Sequence, residues 1–127
     1  DGRHLTSYVA DGLIASTATG STAYALAAGG PILPLELRNI LLVPIAPHLS
    51  VDRAVVLSEG SMVDIRSKGD NTVMSVDGQP SITLMEDDHV EIHVADVTTQ
   101  FVRFGDPGYF YRNLTAHMNE NSIGLPR

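Results

Sequence analysis

Apolar and polar residues alternate over short distances through most of this chain, and the runs are too brief for long helices. Residues 62–67 (MVDIRS) put Val63 and Ile65 on one face of an extended segment and Asp64 and Arg66 on the other. That period of two marks a half-buried strand. Residues 39–45 (NILLVPI) differ, forming a continuous apolar run ended by Pro, suited to a strand covered on both faces. Segments 55–57, 72–76, 81–85, 90–95 and 98–104 repeat the strand pattern at spacings of about ten residues. Between them lie the turn signals Gly69-Asp70-Asn71, Asp77-Gly78, Glu86-Asp87-Asp88 and Gly105-Asp106-Pro107. This rhythm predicts a mainly β, sandwich-like domain.

Two segments interrupt it. Residues 22–28 (TAYALAA) have good helix propensity. Gly29-Gly30-Pro31 then provides a stop, since Gly turns left-handed easily and Pro cannot continue a helix. A last short helix is expected from Tyr111 to about Asn119. No internal repeat, low-complexity tract or heptad pattern is present.

Composition narrows the possibilities. With 127 residues the chain suits one domain with a true core. Its net charge of −7 argues against nucleic acid as a partner, because phosphate backbones need clustered Lys and Arg. A small anionic ligand stays compatible, since local N–H groups can hold it. The absence of cysteine removes disulfides and thiolate metal sites and fits a reducing cytoplasm. No apolar run approaches the roughly 20 residues that span a bilayer, so no membrane partner is expected. Asp1 rather than Met opens the sequence, which is therefore expected to be a piece of a longer protein.

The informative stretch is residues 11–31, DGLIASTATGSTAYALAAGGP. A strand runs into a loop of small hydroxyl residues (Ser16, Thr17, Thr19, Ser21, Thr22) around Gly20, and then directly into the helix. Nothing bulky there blocks a polar ligand from approaching the backbone. A helix start adds unpaired donors and partial positive charge. Tyr24 offers a flat face for an aromatic base, and Asp11 a carboxylate for an amine or amide. Ser and Thr before a helix are equally ordinary N-caps. A ligand loop and a plain strand–helix corner both fit. The segment is neither a Walker loop nor the spaced-glycine dinucleotide fingerprint.

The same segment resembles the long signature of NAD kinases, D-G-L-I-x-S-T-P-T-G-S-T-A-Y-x-x-S-A-G-G-P. The likeness continues in Pro44-Ile45-Ala46-Pro47-His48-Leu49-Ser50 and Arg53, in Val76-Asp77-Gly78-Gln79, and in Phe110-Tyr111 and Leu114. It covers nearly the whole chain in order. The resemblance implies the C-terminal, dinucleotide-binding and oligomerising domain, 1–127, of an enzyme that phosphorylates the adenosine-ribose 2′-hydroxyl of NAD. The donor would be ATP or polyphosphate with Mg²⁺, the location cytoplasmic, and the assembly a homodimer or homotetramer. In that family an N-terminal α/β domain carries the Gly-Gly-Asp-Gly loop and the catalytic Asp. This sequence holds no such loop, so no catalytic or metal residue is assigned and the fragment is expected to be inactive alone.

Carried over by position, Asp11 matches the carboxylate that contacts the dinucleotide. Thr22 and Ala23 match the loop that reads a base edge, and Tyr24 the aromatic beside it. Thr17, Thr19, Gly20 and Ser21 shape the loop. Gln79 is a further candidate ligand, although Asp77-Gly78 before it is also a common tight turn. His48 reads as a structural histidine, and His4, His89, His93 and His117 show no metal-ligand spacing. Three positions depart from the family pattern: Ala18 and Ala54 replace prolines, and Ala27 stands where a nucleotide-contacting Ser is common. Two other readings stay in play. One is a related diacylglycerol or sphingosine kinase, which lacks the Thr-Gly-Ser-Thr-Ala-Tyr loop. The other is a non-catalytic nucleotide-binding or oligomerisation module.

Overall fold

The computed structural model describes residues 2–48 and 53–120. The chain divides into two compact units, residues 1–96 and 97–127.

The first unit is built on antiparallel pairs. Its three-stranded sheet has the order β1 (Gly12–Ser16), β2 (Ile40–Ile45), β3 (Val55–Leu57). The continuous apolar run predicted at 39–45 is the central strand, and Ile40 through Pro44 are all buried. A strand flanked on both edges and covered on both faces has no place for a polar residue. Pro44 fits because pairing with β3 stops at Leu42, and the register Leu13↔Pro44 involves β1 alone. Leu41 is fully buried, which contributes about 1.5–3 kcal/mol. Around it lie Ala18, Ala25, Leu33 and Val43, with Ile14, Ala28 and Ala54 packed at the margin.

The remaining strands form nested hairpins. β4 (Val63–Arg66) pairs with β7 (His89–Ile92), and β5 (Thr72–Met74) with β6 (Ile82–Leu84) between them in sequence. The alternation read at 62–67 holds, with Val63 and Ile65 half-buried and Asp64 and Arg66 exposed. Register sets Asp64 opposite Glu91, an unfavourable like-charge pair. Two flanking side chains offset it, the His89 imidazole with Nδ1 at 3.1 Å and the Arg66 cation with Nη2 at 3.5 Å from the Asp64 carboxylate. The turn signals also hold: Asn71, Asp77, Gly78, Asp87 and Gly105 all have positive φ. Asp77 (φ 48°) and Gly78 (φ 72°) are consecutive, and the Gln79 N–H donates to the Val76 carbonyl at 2.9 Å. That is a type I′ turn. β5 and β6 stop short of the predicted 76 and 81, and Pro80, which has no N–H to give a ladder, stands in the gap.

The helix expected at 22–28 is replaced by a 3-10 turn (Thr19–Thr22) and a single helical turn, α1 (Tyr24–Ala27), separated by Ala23. Its stop is as predicted. Gly29 has φ 87°, its N–H donates to Leu26, and the Gly30 N–H donates to Ala25 at 2.8 Å. These are the two bonds of a Schellman cap.

In the second unit, residues 98–104 form no strand, contrary to the alternation. Phe101, Val102 and Phe104 are 61, 83 and 99% exposed there. Extended backbone needs a hydrogen-bonding neighbour, and none pairs with this segment among the described residues. Helix α2 (Tyr109–Glu120) begins two residues earlier than expected. Asp106 caps it, accepting the Gly108 N–H at 2.9 Å and pairing with Arg112 Nη1 at 3.1 Å. Among the described residues no helix is long and apolar enough to cross a membrane.

Candidate functional site

The segment from Asp11 to Gly30 folds as a strand, a tight corner and one helical turn. Its side chains sort into two sets. Ala18, Ser21 and Ala25 point into the core, at 3, 0 and 1% exposure. Thr17, Thr19, Thr22, Ala23 and Tyr24 face outward, and Tyr24 is 62% exposed. The corner therefore presents a low, hydroxyl-bearing surface with one aromatic ring beside it. Gly20 lets the corner fold back on the strand end, where an added Cβ would stand 3.1 Å from Ser16 Cβ.

Ser21 is the pin that holds this shape. Its hydroxyl donates to the Ala18 carbonyl at 2.6 Å and accepts the Leu33 N–H at 3.0 Å. Its proton is committed and the residue is fully buried, so a ligand on the surface does not reach this oxygen; it shapes the loop from inside. Thr22 Oγ1 donates weakly to the Thr19 carbonyl at 3.4 Å and stays on the surface. Neither the 3-10 turn nor α1 has a side-chain N-cap, because the cap positions are Ala18 and Ala23. With a single turn, α1 sums few peptide dipoles, so the positive helix end expected from the sequence supplies little field.

Asp11 stands at the opposite end of β1 from the corner. Five residues at 3.3 Å each put the two about 17 Å apart. Its backbone N–H donates to the Ile45 carbonyl at 2.9 Å. Its exposed carboxylate meets His48, whose Nε2 lies 3.3 Å from Oδ1. This contact was not legible in the sequence. The signal was the antiparallel register Gly12↔Ile45, which returns the chain after β2 to the start of β1. Gln79 lies on the β5–β6 loop, in a different sheet. Its bonds are local, with its carbonyl accepting the Ser75 hydroxyl at 3.0 Å. The structure thus joins residues 19–24 in one surface, sets Asp11 at the far end of the same strand, and gives Gln79 no bond to either.

Of the quoted motif positions, Leu49 and Ser50 lie outside the described residues. The Arg53 carbonyl accepts the Tyr8 hydroxyl at 3.3 Å, and burial raises the pKa of that phenol. Among the described residues no group of three or more His, Cys, Asp or Glu could hold a metal ion.

The family model for the ATP-NAD kinase C-terminal domain matches residues 1–104. The chain is similar to an NAD kinase of Chloroflexus aurantiacus, 41% identical over 122 residues, covering 95% of this chain and 44% of that protein. An NAD kinase of Trichlorobacter lovleyi is 43% identical over 109 residues, covering 84% and 38%. The chain thus spans less than half the length of these curated relatives. A crystal structure of yeast NADH kinase complexed with NADH superposes with a TM-score of 0.68 at 38% identity. It covers 72% of this chain and 27% of the yeast one.

Proposed function

The chain belongs to the NAD kinase family through its C-terminal domain, and from that premise we propose that it is the dinucleotide-gripping part of an enzyme converting NAD to NADP. The observation that carries this is the division of labour along residues 11–30. Ser21 pins the corner from within, while Thr19, Thr22, Ala23 and Tyr24 are left on its surface. A base lying on that surface has an aromatic face beside it and small residues beneath. Asp11, about 17 Å along the strand, accepts an amide or amine from the other end of the ligand. Two grips that far apart suit a molecule with two bases better than a mononucleotide.

In this reading the domain binds and orients NAD, and Gly20 and Ser21 contribute by shaping rather than touching. Gln79, whose bonds are those of a tight turn, is a weaker candidate than the corner. The phosphate donor, ATP or polyphosphate with Mg²⁺, is served by an N-terminal domain of the same enzyme. Phosphoryl transfer depends on metal-assisted charge stabilisation around the donor, which in this reading that domain supplies. The location is cytoplasmic, and assembly is as a homodimer or homotetramer through this domain.

The test is catalytic. The full-length protein, given Mg²⁺ and a phosphate donor, is expected to convert NAD to NADP and to leave a lipid diol untouched. Phosphorylation of the diol instead would point to the lipid kinases that share the architecture.

A further inference from the structure

We infer that His48 is a positioning residue for the Asp11 carboxylate, holding one oxygen so that the other faces the ligand. The inference rests on Asp11 being a dinucleotide contact, as proposed above. Three features converge on the pair. After β2 the chain turns at Ala46, with φ 45°, a left-handed conformation uncommon outside glycine. Pro47 then fixes its own φ, and the His48 N–H donates to the Val9 carbonyl at 2.6 Å. The imidazole so delivered brings Nε2 to 3.3 Å from Asp11 Oδ1.

A carboxylate can only accept, so Nε2 carries the proton and donates. Asp11 Oδ1 is the atom engaged, and Oδ2 has no partner among the described residues. An exposed Asp rotates about its side-chain torsions, and only some orientations aim an oxygen along the strand edge. Anchoring Oδ1 removes part of that freedom before the ligand arrives, which raises affinity without adding a contact. The two residues are 37 apart in sequence, and the antiparallel register of β1 and β2 is what joins them.

The experiment uses the full-length protein, with NAD varied at saturating phosphate donor. His48→Ala is expected to raise the KM for NAD about two- to fivefold, as fits an exposed pair, with kcat within about twofold. His48→Gln, whose side-chain amide can donate in place of Nε2, is expected to recover most of the loss. Adding His48→Ala to Asp11→Asn is expected to raise KM no further than Asp11→Asn does alone. An unchanged or lowered KM in His48→Ala overturns the inference, a lowered value meaning that the imidazole competes with the ligand. Equal losses in the Ala and Gln variants, additive with Asp11→Asn, make His48 a structural residue only and overturn it too. If Asp11→Asn is itself silent, the underlying reading of Asp11 fails and His48 falls with it. A clear Asp11→Asn effect beside a silent His48→Ala removes His48 alone.

Discussion

The Leu33 N–H donates to Ser21 Oγ at 3.0 Å, joining the corner before α1 to the chain that follows it. Because the same hydroxyl donates to the Ala18 carbonyl, one buried oxygen satisfies two backbone groups. Ser21→Ala leaves the Leu33 N–H without its partner and the Ala18 carbonyl with only the Ser21 N–H, at 3.2 Å. Urea unfolding is expected to show a loss of about 1–3 kcal/mol, the cost of orphaned buried polar groups. A change under about 0.5 kcal/mol, the range of ordinary surface substitutions, would mean that water takes over both bonds.

The cap after α1 sets two adjacent glycines apart. An added Cβ at Gly29 meets nothing within 4 Å, so Gly29→Ala suffers only from its φ of 87°. That strain is about 1–2 kcal/mol. At Gly30 the Cβ would lie 2.7 Å from Val43 Cγ2 and 2.8 Å from the Ala25 carbonyl oxygen. The carbonyl is backbone and cannot step aside, so Gly30→Ala is expected to be the worse of the two. Overpacking of this kind costs about 1–3 kcal/mol before any displacement of the cap. Comparing the melting temperatures of the two variants checks the order.

Much of the fold was legible because its signals are local. The run at 40–45 carries no polar residue and could only be a covered strand; Asp77-Gly78 and Gly29-Gly30 mark turns by backbone chemistry alone. Residues 98–104 show where this fails, since alternation specifies a face but not a partner strand, and the segment has none among the described residues. The site was half legible for the same reason. The sequence singled out residues 19–24 and Asp11. Only the fold reveals that Ser21 faces inward while its neighbours face out. The His48–Asp11 contact depends on a strand register that no local pattern encodes.

Tyr8 gives a pH dependence. Burial raises its pKa above the usual value, so the fold favours the neutral phenol. A group with a raised folded pKa contributes its full stability below the unfolded value, near about 10, and loses it as pH climbs through the folded one. Stability is therefore expected to fall in alkali, above about pH 10. Tyr8→Phe should weaken that fall and remove a late tyrosinate transition from an ultraviolet titration. An unchanged titration would show that the phenol is solvated in solution.

Tyr24 separates binding from folding. The residue is 62% exposed, so Tyr24→Ala is expected to shift stability by no more than about 0.5 kcal/mol. Loss of an aromatic platform under a base typically costs about 1–3 kcal/mol. Calorimetric titration of the full-length protein with NAD should show a weakening of that size, roughly five- to 150-fold in Kd. Unaltered affinity would place the base elsewhere.

A crystal structure of the full-length protein with NAD decides whether the corner and Asp11 hold the two ends of the ligand. One base is expected on the surface formed by residues 19–24, beside the Tyr24 ring, with the far end of the ligand within hydrogen-bonding distance of Asp11. Density for NAD elsewhere, with that corner bare and Asp11 bonded to His48 alone, would contradict the account.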